Sequence, residues 1–517
     1  MVARAPNGCG VRVGEAYHGA PSPARADHEQ RSSYPGVAWD ALGIGSWEVT
    51  LVATAGAVAL PLFDLDTGPN DTPVESPLRV LDLFAGAGGL SEGFRQQGFR
   101  VVGGSDIDPD ACATFALNFP ESETICGDIR DPEIRDRILA VGRGVDVVVG
   151  GPPCQAFSQV RNHSRLIDDP RNSLYREFVR MVAQLTPRAF VMENVPGMAQ
   201  MGVLGQVTED LSLGGTYEVV ARVVDAADFG VPQTRKRIIF IGTHRDLGVR
   251  SEHLTGTGAT DALALIRHAK GRYAIEARNG RGEALLQALA DPEDLTVVTT
   301  EQAISDLRYL RAGRRDDEMP AGSLRPAESA YQRLMRKELG ETLTNVSVPR
   351  INPDTVTRLR RIPPGGNHRD LPEELTARYI SGQRWGPSNG TGKLGRAHFY
   401  AYRRLHPGIW AWTINTKADS AYHYAFARAL SVREFARLQS FPDHFVFTTD
   451  PRRGNLPGRI SGGAAHSRYR QVGNAVPPLL AAAIAKEIRR ILQPAEPPQA
   501  RQRRLRSRYQ RGQGRQG

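Results

Sequence analysis

A cysteine, a glutamate and two arginines stand at the ends of short apolar runs, and these residue types support nucleophilic and acid–base chemistry. Cys154 follows Val147-Val148-Val149 through Gly150-Gly151-Pro152-Pro153. The glycines and prolines stiffen the exit from the run and present the thiol in a loop, where a thiol can act as a nucleophile. Glu193 directly follows Phe190-Val191-Met192, so its carboxylate would share an edge with Cys154 if both runs are strands of one sheet. Standing alone, such an acid is more simply a helix cap or a surface group. Arg235 and Arg237 lie in Pro232-Gln233-Thr234-Arg235-Lys236-Arg237, ahead of the apolar run Ile238–Ile241. Three consecutive cations usually mark a solvated rim. Beside an acid and a thiol, arginines can instead hold an anionic or carbonyl-bearing substrate. For Cys112 and Cys126 the default reading is a small, inert, buried hydrophobe.

A second constellation precedes these. Val80-Leu81-Asp82-Leu83-Phe84-Ala85-Gly86-Ala87-Gly88-Gly89-Leu90 reads as a strand, a glycine-rich turn and a helix, the usual seat of a nucleotide-like ligand. Any strand–turn–helix needs glycine, so the loop alone does not decide. The dinucleotide fingerprint G-x-G-x-x-G fails, because Ser91 stands where the third glycine would be. Asp106 lies twenty residues after Gly86, beyond the next strand, placed to accept ribose hydroxyls. Asp128 follows a third strand-like segment, placed to bind an adenine amino group. Together the two acids favour a nucleoside ligand without a pyrophosphate.

Elements must hold these residues. Apolar runs predict strands at Arg79–Leu83, Arg100–Ser105, Val145–Val149, Ala189–Met192, Tyr217–Val224 and Arg237–Thr243. Amphipathic segments Leu90–Gln97, Pro109–Asn118 and Asn172–Leu185 predict helices between them. That alternation implies an α/β fold, a mostly parallel sheet covered on both faces. Ser431-Val432-Arg433-Glu434 fits a capping box opening a helix that ends before Pro442. A last helix is predicted over Pro478–Leu492.

Composition narrows the classes. The chain has 517 residues, 40% hydrophobic and 24% charged, a globular composition with room for one or two large domains and extensions. No run of eighteen apolar residues predicts a membrane span, and nothing near Met1 reads as a signal peptide. Four cysteines without a C-x-x-C pair argue against a zinc site or disulfide scaffold and fit a reducing cytoplasm. The net charge is +10. Residues 1–77 carry −5, residues 501–517 carry +7 and the body +8, so a polyanionic partner is expected. The first 77 residues read as a poorly ordered extension, with Leu51 to Leu60 as a short strand within it. After His244 the periodicity decays. Residues 350–420 hold twelve basic and five acidic residues, interleaved with Tyr379, Trp385, Phe399, Tyr400, Tyr402, Trp410 and Trp412.

The set resembles the bacterial-type DNA (cytosine-5)-methyltransferases. Matching segments, in the family's order, are Asp82–Gly89, Asp106–Pro109, Gly127–Ile129, Gly151–Ser158, Glu193–Val195, Gln233–Arg237, Arg428–Phe445 and Gln471–Pro478, spanning residues 78 to 492. The resemblance implies a Rossmann-like, S-adenosylmethionine-dependent methyltransferase sheet with a smaller target-recognition domain. The domains would be a catalytic and cofactor-binding unit at 78–285 completed by 461–495, a recognition region at 286–460 and an Arg-rich disordered tail at 496–517. It implies a Cys154 thiolate attacking C6 of a flipped cytosine, Glu193 at N3, and Arg235 and Arg237 near the base. S-adenosylmethionine would lie on Phe84, Gly86, Gly88, Asp106, Ile107 and Asp128, with Asn474 and Val476 closing the pocket. The partner would be double-stranded DNA, read by the basic, aromatic segment before Arg428. A monomeric cytoplasmic enzyme is expected, with no membrane partner. A cognate restriction endonuclease would act on the same site without required contact. The tail would add salt-sensitive, sequence-independent DNA affinity.

Three other readings compete. An RNA cytosine methyltransferase shares the scaffold, but the long basic segment favours duplex readout. A DNA-binding regulator with a vestigial catalytic domain has no need of Cys154, Glu193, Arg235 and Arg237 together. A nicotinamide oxidoreductase is disfavoured by Ser91.

Overall fold

Seven strands pair into one sheet whose central members are apolar on both faces, which suits cover by helices on both sides, while the edge strands Glu123–Cys126 and Tyr217–Asp225 are partly exposed. In the computed structural model the described residues are 76–153, 173–200, 203–268, 272–372, 374–375, 402–453 and 464–493. The strands are β1 Arg79–Leu83, β2 Arg100–Asp106, β3 Glu123–Cys126, β4 Val147–Gly150, β5 Ala189–Asn194, β6 Tyr217–Asp225 and β7 Lys236–His244. Their order is β3-β2-β1-β4-β5-β7-β6. The pairs among β1 to β5 are parallel, while β7 runs antiparallel to β5 and β6. Strand order reverses between β1 and β4, and the crevice at such a switch point is where ligands bind in open α/β sheets.

Alternate strand residues feed two separate apolar layers. Val80, Val147, Val149, Val191, Ile239 and Ile241 face one way, and Leu81, Leu83, Val148, Phe190, Ile238 and Phe240 the other. The covering helices include α1 Gly89–Gln96, α2 Pro109–Asn118, α3 Pro132–Val141, α4 Ser173–Leu185, α5 Gly197–Gln200 and α6 Leu204–Ser212. The predicted strands and helices appear with ends shifted by at most two residues. Helix α3 was not expected, since its arginines and acids leave only Ile138 buried. Its start signal was nevertheless legible: Asp131 caps the Glu133 amide and Pro132 occupies the first turn.

Residues after His244 form short pieces, including the paired strands Leu263–Arg267 and Tyr273–Ala277 and the helix Gly280–Ala290. The boundary expected between residues 285 and 286 falls inside that helix. Further on come α7 Val432–Leu438, α8 Ala464–Asn474 and α9 Pro478–Leu492. The capping box of Ser431 and Glu434 opens α7, all of whose residues are buried. Residues 1–75 and the Arg-rich tail lie outside the described residues, as does the aromatic segment 376–401. Among the described residues no helix is long and apolar enough to cross a membrane.

The chain's last helix returns to its first. Leu480, Ile484 and Ile488 of α9 share an apolar cluster with Val80 and Phe94. The approach requires glycine on α1. A Cβ on Gly93 would lie 2.5 Å from the Pro478 carbonyl oxygen and the Ala482 nitrogen, and one on Gly89 2.2 Å from the Val476 carbonyl oxygen. Gly93→Ala should therefore prise α9 from α1 and destabilise the fold by about 1–3 kcal/mol, the usual cost of overpacking. A thermal melt beside the wild type measures it, and an unchanged midpoint would contradict this packing.

Candidate active site and cofactor pocket

Strand direction brings the predicted acid and one predicted arginine together. Glu193 lies near the carboxyl end of β5 and Arg237 near the start of antiparallel β7, so both lie at one edge of the sheet. Glu193 pairs with Ile239 across the two strands, which makes Arg237 its diagonal neighbour. The Arg237 Nε meets Glu193 Oε1 at 2.6 Å, and both side chains are largely buried. The other carboxylate oxygen, Oε2, lies against Gly151, where a Cβ would approach it to 2.9 Å. Asn194 Nδ2 donates to the Pro152 carbonyl at 3.1 Å, tying down the loop that leaves β4. Cys154, four residues beyond β4, lies outside the described residues.

Arg235, the other predicted arginine, is buried, only 2% exposed. Its Nη2 donates to the Gly473 carbonyl at 2.7 Å and its Nη1 to the Ile414 carbonyl at 3.3 Å. Arg235 precedes β7, where the chain is pinned to a distant segment. Thr234 N–H donates to the Ala411 carbonyl and Ala411 N–H to the Pro232 carbonyl. Burial, then the neighbouring Arg237 cation, pushes the Arg235 pKa well below its ordinary value, with Glu193 opposing.

At the switch point, the backbone between β1 and α1 is left-handed at Phe84, Gly86 and Gly88. Gly88 has no alternative, since its φ is 99° and a Cβ would strike the Phe119 ring at 2.5 Å. Asp106 is held by backbone: its Oδ2 accepts from Gly86 N–H at 2.9 Å and its Oδ1 from Asp108 N–H at 2.8 Å. Burial raises its pKa against the pull of these bonds. Ile107 is 63% exposed, an unusual exposure for a large apolar side chain beside a glycine loop. Asp128 differs from expectation in being already paired: Arg130 Nε donates to both its oxygens, at 2.9 and 3.0 Å. That hydrogen bond lowers the Asp128 pKa. Asn474 is exposed at the end of α8, and the buried Val476 abuts Gly89 through its carbonyl.

Two polar residues here carried no sequence expectation of a role. Asp82 is fully buried, and its Oδ2 accepts from the Ser91 hydroxyl at 2.7 Å and the Ser91 amide at 3.2 Å. Ser91 thus replaces the dinucleotide glycine for a reason: it satisfies a buried acid. Gln233 is also fully buried and accepts from Ile414 N–H at 2.9 Å. The cysteine reading divides, with Cys112 buried but Cys126 exposed. Among the described residues no cluster of His, Cys, Asp and Glu could hold a metal.

This strand order, with a glycine loop at the switch point and an acid–arginine pair on the same edge, defines a Rossmann-like methyltransferase domain. Residues 78–490 match the family model of C-5 cytosine-specific DNA methylases. The chain belongs to that family, and is a DNA (cytosine-5-)-methyltransferase. It is 33% identical over 438 residues to the Type II methyltransferase M.XorII of Xanthomonas oryzae pv. oryzae, covering 80% of this chain and 84% of that protein. It is 31% identical over 496 residues to the DNA (cytosine-5-)-methyltransferase M.ApeKI of Aeropyrum pernix, covering 80% and 98%. A solved structure of a candidate prophage-encoded DNA modification methyltransferase from E. coli superposes with a TM-score of 0.54 at 24% identity, over 80% of this chain and 99% of that one. The likeness to that structure is one of fold.

Asp82 generates a pH prediction. Burial pushes its carboxyl from 3.8 up to about 7, although Ser91 pulls the other way. A raised folded-state pKa gives stability that is full below the unfolded value and is lost as pH rises through the folded one. Asp82→Asn should therefore flatten the loss of stability between about pH 4 and 7, a slope of at most ~1.4 kcal/mol per pH unit. Thermal melts of both proteins across that range measure the difference. Parallel curves would show that Asp82 does not titrate there.

Proposed function

We propose that the enzyme transfers a methyl group from S-adenosylmethionine to C5 of a flipped cytosine within a specific duplex sequence, through a covalent adduct of Cys154. It would be the modification enzyme of a restriction-modification system. The observation that carries this reading is the contact of Glu193 with Arg237, beside Gly151 on the loop that leads to Cys154. Membership of the family supports the rest, and the Type II names of relatives support the restriction-modification context.

The residues present suit the cofactor. Asp106 offers a carboxylate to hydroxyl donors, Asp128 would offer one to an amino donor in exchange for Arg130, exposed Ile107 offers an apolar face, and the space where a Gly86 Cβ would point is open. Phe84, Gly88, Asn474 and Val476 complete the set that would hold it. S-adenosylmethionine supplies an electrophilic methyl group when bound.

Cytosine C5 is a poor nucleophile and needs activation. Addition of the Cys154 thiolate to C6 moves electron density to C5 while Glu193 engages N3, and Arg237 fixes the carboxylate of Glu193 in place. Once C5 carries the methyl group, loss of its proton and expulsion of the thiolate restore the ring and the enzyme. A base within a duplex is out of reach of such a site and must be flipped.

Incubation with methyl-labelled S-adenosylmethionine and either duplex DNA or RNA tests the reading. Label in DNA as 5-methylcytosine at one short recurring sequence is expected, and label confined to RNA would overturn it. Cys154→Ala should abolish turnover while S-adenosylhomocysteine still binds; full residual methylation would remove the thiol from the mechanism. Asp106→Ala should weaken S-adenosylhomocysteine binding by roughly tenfold, about the worth of one charge-assisted hydrogen bond, and DNA binding by less. Calorimetric titration against each ligand separates the two.

A further inference from the structure

Two buried side chains of the Pro232–Arg237 segment, Gln233 and Arg235, hold two distant parts of the chain together. One part is residues 411–415, in the region expected to read DNA. The other is residues 473–476, whose Val476 carbonyl packs against Gly89 beside the glycine loop. Both peptide groups of Ile414 are captured: its N–H donates to Gln233 Oε1 at 2.9 Å, and its carbonyl accepts from Arg235 at 3.3 Å. The same two residues reach the second part. Arg235 donates to the Gly473 carbonyl at 2.7 Å, one of the last-turn carbonyls of α8 that lacks a partner within the helix. Gln233 Nε2 donates to Gln439 Oε1 at 2.5 Å, and Gln439 Nε2 to the Ala475 carbonyl at 2.5 Å. The two parts also touch directly, because a Cβ on Gly473 would lie 2.3 Å from the Asn415 carbonyl oxygen.

We propose that Arg235 and Gln233 are positioning residues that join the DNA-reading strap 411–415 to the cofactor-pocket wall 473–476, so that cofactor and duplex DNA bind cooperatively. The proposal rests on the functional reading above. Its physical basis is that neither segment can shift without breaking a buried hydrogen bond or opening the Gly473–Asn415 contact. A ligand that fixes one wall therefore fixes the other. Arg235 touches neither substrate nor cofactor in this scheme, whereas Arg237 holds the carboxylate that engages the base. Coupling is reciprocal, so either ligand's affinity reports it.

The test measures the affinity of the full-length enzyme for S-adenosylhomocysteine alone and with a duplex carrying the sequence that the transfer assay labels. The wild type should bind S-adenosylhomocysteine at least about fivefold more tightly with the duplex, a typical coupling. Arg235→Met should bring that ratio close to one while each ligand still binds by itself. Arg235→Lys should restore part of the ratio, because an ammonium can reach one of the two carbonyls. An undiminished ratio in Arg235→Met overturns the proposal. So does a collapse of kcat with the ratio intact, which would return Arg235 to the substrate. If Arg235→Met does not fold, Gln439→Leu cuts only the Ala475 arm and should lower the ratio; a full ratio there is equally adverse. A wild type that binds S-adenosylhomocysteine without any effect of DNA defeats the coupling alone. A wild type that binds no S-adenosylhomocysteine defeats the functional reading instead.

Discussion

The architecture depends on the close approach of the chain's last described helix to its first. Two glycines on one face of α1 let the backbone at Val476, Pro478 and Ala482 come closer than any side chain would permit. This contact completes the cover over one face of the sheet and sets the residues after α8 beside the nucleotide-type loop. It also dictates the rest of the topology. Everything between β7 and α8 becomes an insertion whose two ends leave the same domain, so the region expected to read DNA must be fastened at both ends.

The fastening is done with buried charge. Helix α7 is wholly buried, yet it carries Arg433, Glu434 and Arg437. Arg437 donates to Asp443 through Nε and Nη2 at 2.5 and 2.6 Å, to Asp306 at 3.2 and 3.4 Å, and to the Ala303 carbonyl at 2.9 Å. Arg428 holds Glu434 by two bonds of 2.7 and 2.9 Å, and Glu434 in turn closes the capping box. Such pairs recover little more than the desolvation they cost. What they add is geometry, since a five-donor guanidinium with each N–H engaged tolerates one arrangement of its acceptors. A greasy contact of equal area would tolerate several.

These contacts explain what the sequence could and could not disclose. The central strands were legible because residues buried on both faces leave apolar runs, and Pro109–Asn118 and Pro478–Leu492 were legible to the residue because proline opens each. The glutamate at the end of β5 was legible for the same reason. The burial of Arg235 was not, because nothing local distinguishes it from Arg237: the carbonyls that receive it belong to Ile414 and Gly473, far along the chain. Asp82 was equally opaque, as its partner Ser91 looks like a failed glycine until the fold shows an acid beneath it. The region expected to read DNA resisted reading because its described residues form only short two-stranded pairs, such as Glu318–Pro320 with Thr342–Thr344, held by contacts remote in sequence.

One further feature of the site follows from strand direction. In β2 and β5 the polar residues that matter come at or near the end of the strand, as in Asp106 and Glu193. Arg237 instead comes before its run, Ile238–Ile241. A parallel strand in the place of β7 would have carried that arginine to the opposite edge of the sheet, one strand length from Glu193. Because β7 is antiparallel to β5, its first residues lie where the other strands end, and a cation ahead of the run becomes the partner of an acid behind one. The position of a charge before or after an apolar run, taken with the edge at which it must act, therefore encodes the direction of the strand. In this chain that reversal is what lets two residues 44 positions apart meet at 2.6 Å.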